Sequence, residues 1–188
     1  MNYFLKITSK PNYPLVYDAQ HNNTNGSYFA VGKYINEEIS DPLIYNDAQN
    51  SDIGYEKLIT YSALETVGGG VLYSRQFVDF LYKNGFDKDV QIFDARFNYK
   101  GNSCDNYYVV NIYNKVECYD MDQSVYQVHP VDKSYKFSKT VLKEEPLEEY
   151  GYIYNIARSV YDNKIIVSGE FRELLKTEKM NSISFSTK

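Results

Sequence analysis

One pattern in the chain constrains the fold more than any other. An apolar strand runs straight into a serine that can cap a helix, and this happens twice. Near the C-terminus, Ile165-Ile166-Val167 is followed by Ser168, then by Phe171, Leu174 and Leu175. Three aliphatic residues in a row suggest a buried strand, and the i, i+3, i+4 spacing puts the next three on one helix face. Serine is a good N-cap because its hydroxyl can accept from a free N–H of the first turn, and Glu170 suits the positive end of the helix dipole. Ile183 and Phe185 alternate as a closing strand would. Earlier, Val71-Leu72-Tyr73 ends in Ser74, Phe77, Phe80 and Leu81 repeat the helix face, and Asn84-Gly85 offers a stop. Val90, Ile92 and Phe93 then supply the next strand. Two strand–Ser–helix–strand units therefore organise the chain as an internal repeat. They name packing units and no chemistry.

Between them lies the most strand-prone stretch, Tyr107-Tyr108-Val109-Val110-Asn111-Ile112-Tyr113. Val116 to Asp120, Ser124 to Val128, Tyr135 to Phe137 and Thr140 to Leu142 follow with turns between them, and read as an antiparallel meander. The acidic, proline-bearing run from Lys143 to Glu149 reads as a loop or short helix, and Tyr152 to Ile156 as a strand. In the first part, residues 3 to 7 read as a strand, broken by Lys10-Pro11-Asn12-Tyr13-Pro14. Leu15 to Tyr17 reads as a short strand, His21 to Ser27 as a polar loop, and Tyr28-Phe29-Ala30-Val31 as a strand. The pattern from Glu37 to Ser51 is weak, with a turn at Asp41-Pro42, and residues 53 to 65 admit a helix. The expectation is an α+β fold: a Tyr-rich, largely antiparallel β-sheet system with two strand–helix–strand units. It divides into a strand-rich part over 1–70 and a second part over 71–188, within one compact domain.

Composition limits function. The chain has 188 residues, 43% of them hydrophobic, enough for a real core. Its net charge of -5 argues against a general nucleic-acid binder, which needs a basic face for phosphates. It suits a basic protein partner. The 21 tyrosines accompany 10 Phe and no Trp, a bias that favours strands and contact surfaces, since the ring buries area while the hydroxyl stays wet. Two cysteines, Cys104 and Cys118, are too few for a disulfide scaffold. The N-terminal residues lack a signal-peptide pattern and no apolar run reaches membrane-spanning length, so the sequence predicts a cytoplasmic protein with no membrane partner.

Catalytic patterns are missing from the sequence. Gly68-Gly69-Gly70 precedes a strand instead of joining strand to helix, and no Gly-Lys-Ser/Thr follows, so it reads as an entry turn and not a phosphate loop. A zinc site would have to draw His21, His129, Cys104 and Cys118 across wide gaps. No metal or other cofactor is expected. Glu117, Asp120 and Asp122 form an acidic cluster that could hold a cation or do acid–base work, but a hairpin corner needs carboxylates of this kind simply to bond its own backbone. Glu144, Glu145, Glu148 and Glu149 read as a solvated face, and as a contact for a basic partner.

The second half, from about residue 70 to 188, resembles the immunity protein 11 family. The likeness rests on Tyr108-Val109-Val110-Asn111-Ile112, Glu117-Cys118-Tyr119-Asp120, Ser124-Val125-Tyr126, Ile153-Tyr154-Asn155-Ile156, and Ile165-Ile166-Val167-Ser168 with Phe171 to Leu175. The resemblance implies no catalytic residues. It implies an immunity protein that binds and neutralises a cognate bacterial toxin by direct protein–protein inhibition. A cytoplasmic address would make that toxin a nuclease or nucleotide-directed enzyme. The candidate partner-binding residues are Glu117, Asp120 and Asp122 at one corner, and Glu144, Glu145, Glu148 and Glu149 at another. Two rival roles stand beside it: an enzyme reversing a toxin modification through the Asp120 cluster, and an adaptor that carries a toxin without inhibiting it.

Overall fold

A computed structural model of the protein describes residues 1–8 and 13–188. The strands in chain order are β1 (Asn2–Ile7), β2 (Leu15–Tyr17), β3 (Leu43–Asp47), β4 (Ala63–Glu65), β5 (Val71–Ser74), β6 (Gln91–Tyr99), β7 (Asn102–Asn111) and β8 (Lys115–Val116). They continue with β9 (Val125–Val128), β10 (Tyr135–Lys139), β11 (Leu147–Glu149), β12 (Tyr152–Tyr154), β13 (Ile156–Ser159), β14 (Ile165–Ser168) and β15 (Ile183–Ser186). The helices are α1 (Ser27–Val31), α2 (Tyr55–Leu58), α3 (Arg75–Asn84) and α4 (Gly169–Thr177). The architecture is α+β, with a six-stranded sheet ordered β2-β3-β6-β7-β5-β4, a five-stranded sheet ordered β15-β1-β14-β13-β8, and two separate hairpins. Pairing is antiparallel except at β3–β6 and β8–β13.

The two repeated units form as the sequence predicts, except that Ser74 makes no side-chain cap, and they share a topology that the sequence does not reveal. In the first sheet, β5 and β6 flank α3 and run parallel, with antiparallel β7 between them. In the second, β14 and β15 flank α4 and run parallel, with antiparallel β1 between them. A hairpin precedes each helix, β4–β5 and β13–β14. The orders β4-β5-β7-β6 and β13-β14-β1-β15 therefore match strand for strand. The inserted strand follows its unit directly in the first case and comes from the other end of the chain in the second. Equivalent hydrogen bonds mark the match: Ser74 N donates to Ser62 O at 2.9 Å, and Ser168 N to Asn155 O at 3.0 Å.

Alternation along the strands builds three cores. Tyr73, Tyr108, Val167 and Leu5 face a shared core between the sheets, where α3 and α4 meet. There the Phe171 ring lies edge-on to Phe80 at 5.2 Å and 5.0 Å from Phe86. Leu72 and Val109 face the opposite way, into a core the first sheet wraps around; Phe4 and Ile166 face a third, smaller core beneath the second sheet. The first sheet nearly closes on itself, because Tyr17 N donates to Val67 O and Val67 N to Leu15 O, both at 2.9 Å. That bridge consumes edges that would otherwise invite aggregation.

Several expectations need correcting. Tyr28 to Val31 form α1 and not a strand. Asn25 Oδ1 accepts from Ser27 N at 3.0 Å, and Gly32 ends the turn with φ 65°. Buried Arg158 then holds the carbonyls of Phe29 and Ala30 at 2.9 and 3.1 Å, so tertiary hydrogen bonds override local strand propensity. A Cβ on Gly32 would lie 2.4 Å from the Ile112 carbonyl oxygen, so that position requires glycine on both counts. The helix within residues 53–65 shrinks to α2, and Ala63 to Glu65 pair as β4. Residues 43–47, left without structure by their weak pattern, are β3, which pairs in parallel with distant β6. Of the expected meander only the β9–β10 hairpin forms: β7 pairs with β5 and β6, β8 leaves for the other sheet, and Thr140 to Leu142 contribute an isolated antiparallel bridge to Tyr119. The run from Lys143 to Glu149 ends in strand β11, paired with β12. Most of the break expected at Lys10 to Pro14 lies outside the described residues.

Candidate functional site

The segment after β7 builds the site. From Val116 the chain alternates, with Val116 and Cys118 buried and Glu117 exposed. Tyr119 is also buried and donates its hydroxyl to Asp162 Oδ1 at 2.7 Å. Asp120 then makes a tight corner: Oδ1 accepts from Asp122 N at 3.1 Å and Gln123 N at 3.0 Å, and Oδ2 from Gln123 Nε2 at 2.6 Å. The Asp120 amide donates to Val141 O, and Lys143 N to Cys118 O, both at 2.9 Å, tying residues 118–124 to residues 141–143. Buried Asn2 completes the frame by donating to the carbonyls of Lys143 at 3.1 Å and Glu145 at 2.7 Å. The first strand of the chain thereby fixes the path of the acidic run.

These ties unite the two acidic corners. Glu117, Asp120 and Asp122 line one cleft of about 670 Å³ together with Glu145 and Glu148. Glu144 and Glu149 lie outside that lining. Lys143 is the only basic side chain in the cleft wall, against five carboxylates. Among the described residues, none of the seven candidate carboxylates joins an ion pair. The floor is aromatic: Tyr161 stacks on Tyr119 at 5.4 Å and 22°, and both line the cleft. Phe137, Tyr135 and Tyr126 continue the aromatic run onto the β9–β10 hairpin.

The walls of this cleft are acidic and its floor is aromatic. Burial, and then the Glu117 carboxylate, push the Tyr161 hydroxyl above its usual range. Burial raises Tyr119 as well, and lifts the neighbouring Cys118 thiol to about 12. These groups stay protonated at neutral pH, which leaves no phenolate or thiolate nucleophile here. The carboxylate of Asp120 is occupied by its own turn, as the hairpin-corner reading requires. Among the described residues, no three His, Cys, Asp or Glu side chains converge as a metal-ligand set. His21 and His129 sit elsewhere, each paired with a nearby aspartate, Asp18 and Asp132 respectively.

Two hairpins flank the cleft, and they carry much of the exposed apolar surface. On β9–β10 and its turn, Val125, Val128 and Val131 are exposed. On β11–β12, Tyr150, Tyr152 and Ile153 are 92%, 70% and 60% exposed. Sequence reasoning missed these last three. The only signal was Gly151 between two strand-prone runs, a weak one because two-residue hairpin turns prefer Asn, Asp or Gly where Tyr150 stands.

Residues 68–187 match the family described as Immunity protein 43. The chain belongs to that family. The match runs from the glycine turn before β5 to the end of β15, so it contains both helical units, the acidic cleft and both flanking hairpins. It corrects the resemblance to the immunity protein 11 family. The motifs behind that resemblance mix core strands and a helix cap with exposed hairpin residues such as Val125, Tyr126 and Ile153, and none of them sets one immunity family apart from another. Immunity proteins are antitoxins, and membership in the immunity protein 43 family implies a cognate toxin as partner. No curated protein matches the chain. No helix is long and apolar enough to cross a membrane.

Proposed function

We propose that this member of the immunity protein 43 family neutralises its toxin by direct binding through the acidic cleft and its flanking hairpins. The observation that carries this reading is the convergence of five carboxylates, none of them in an ion pair among the described residues, on one aromatic-floored cleft within the segment matched to the family. A concave surface of that charge attracts a basic partner and speeds its encounter. Tyrosines beside it supply the amphipathic anchors that dominate interface energy. The toxin would present a basic element here, as an enzyme acting on nucleic acid or nucleotides does where it holds phosphate. The carboxylates of Glu117, Asp122, Glu145 and Glu148 would stand in for those phosphates. Glu144 and Glu149 extend the negative field beyond the cleft. The toxin would act in the cytoplasm, where this chain is expected to reside.

Association kinetics with the purified cognate toxin test the surface. The double variant Asp122→Lys, Glu148→Lys reverses two exposed charges and keeps the Asp120 carboxylate and the backbone amides that it accepts from. It should bind at least about tenfold more slowly at low salt, and the difference should shrink as salt screens the field. Unchanged association rates for the double variant would place the toxin on another face.

A further inference from the structure

We propose that Tyr150, at the tip of the β11–β12 hairpin, is the anchor that enters an apolar, base-rimmed pocket on the toxin. This rests on the toxin-binding reading above and adds which residue makes the decisive contact. Three observations converge on Tyr150. The first is conformation. Glu149 pairs with Tyr152, so Tyr150 and Gly151 form the whole loop, and their φ values of 52° and 81° make a turn in which both central residues are left-handed. Such turns prefer Asn, Asp or Gly at the first position, and a bulky aromatic residue there is strained.

The second observation is isolation. Tyr150 is 92% exposed and makes no side-chain hydrogen bond or ring contact among the described residues. The molecule contains its own comparison. Lys100-Gly101, between β6 and β7, has the same loop length and the same signs, with φ 48° and 79°. There the strained residue serves the fold: Lys100 Nζ donates to Ile53 O at 2.9 Å, and its amide to Asp47 Oδ2 at 3.3 Å. Tyr150 has the same left-handed conformation without any such hydrogen bond among the described residues. An observed outlier with no folding role is grounds for a functional one.

The third observation is setting. Tyr152 and Ile153 add exposed apolar surface on the same hairpin, and the acidic run leads directly into it. A rigid two-residue turn presents Tyr150 without the ordering cost that a flexible loop would add. An aromatic projection that follows Glu148 and Glu149 in the chain fits an apolar hole with a basic rim, and aromatic residues are prominent among the anchors of protein interfaces.

Titration calorimetry against the purified toxin, paired with thermal unfolding of the free protein, tests the assignment. Tyr150→Asn should weaken binding at least about tenfold. It should also raise the unfolding midpoint by about 2–4 °C as the turn strain is relieved. Tyr150→Phe should bind within about threefold of wild type, because the ring and not the hydroxyl fills the pocket. Wild-type affinity in Tyr150→Asn overturns the proposal. So does weaker binding accompanied by a lower midpoint, which would make Tyr150 a folding residue. Failure of the unmodified protein to bind the toxin overturns the toxin-binding reading itself, an outcome distinct from the other two.

Discussion

At the residue scale, buried charge shows how the two sheets are joined. Arg158 is buried, and its guanidinium reaches the carbonyls of Phe29, Ala30, Ile112 and Asn163 at 2.7 to 3.1 Å, with no ion pair to a carboxylate among the described residues. Its counterpart by register in the first sheet is Glu65, since Glu65 opposes Val71 on β5 as Arg158 opposes Ile165 on β14. Both line the same cavity of about 360 Å³. Burial raises the Glu65 carboxyl above its ordinary 4.5. A raised carboxyl binds its proton more tightly folded than unfolded, so it favours the fold at low pH and costs stability as pH rises through the raised value. Glu65→Gln should therefore be at least as stable as wild type at pH 7. The gap should close as pH falls from the raised value to the ordinary one. Urea unfolding between pH 4 and 8 measures this, and a pH-independent gap would count against it.

At the element scale, the two capping serines look identical in sequence and differ in the fold. Ser168 Oγ accepts from Phe171 N at 3.1 Å and donates to Asn155 Oδ1 at 2.6 Å. Ser74 makes no cap, and its hydroxyl is buried without a partner among the described residues. Ser168→Ala should cost about 1 kcal/mol, while Ser74→Ala should be neutral or slightly stabilising, since it removes an unpaired buried group. Equal losses in denaturant titrations would contradict the distinction. The same scale shows what the sequence could convey. Both helices were legible because each carries its own apolar stripe and start signal. Strand β3 was not, because its register depends on β6, far along the chain. Helix α1 was not, because Arg158 and Gly32 settle a stretch whose local propensity favours a strand.

At the scale of the whole molecule, the chain closes on itself. β1 lies between β14 and β15, Phe4 opposes Ser186, and Lys6 Nζ donates to the Lys188 carbonyl at 3.0 Å, so the two termini share one edge of the second sheet. Joining Lys188 to Met1 through a short glycine linker and reopening the chain in the exposed turn at Asp132-Lys133 should give a folded permutant. Its second unit would then run in the same order as its first. Circular dichroism and a cooperative unfolding transition would report it, and an unfolded permutant would show that the two units are not interchangeable in connectivity. The candidate site is a product of this closure. All seven carboxylates were visible in the sequence as two separate corners. The union of five of them in one cleft was not, because it depends on Asn2 of β1 holding the carbonyls of Lys143 and Glu145.

The most direct measurement is the activity of the purified cognate toxin titrated with this protein. Activity should fall to zero at one equivalent, and the Asp122→Lys, Glu148→Lys variant should require a clear excess to reach the same point. A toxin that stays fully active inside a stoichiometric complex would make the protein a carrier, and a toxin unaffected by either form would remove the acidic cleft from its function.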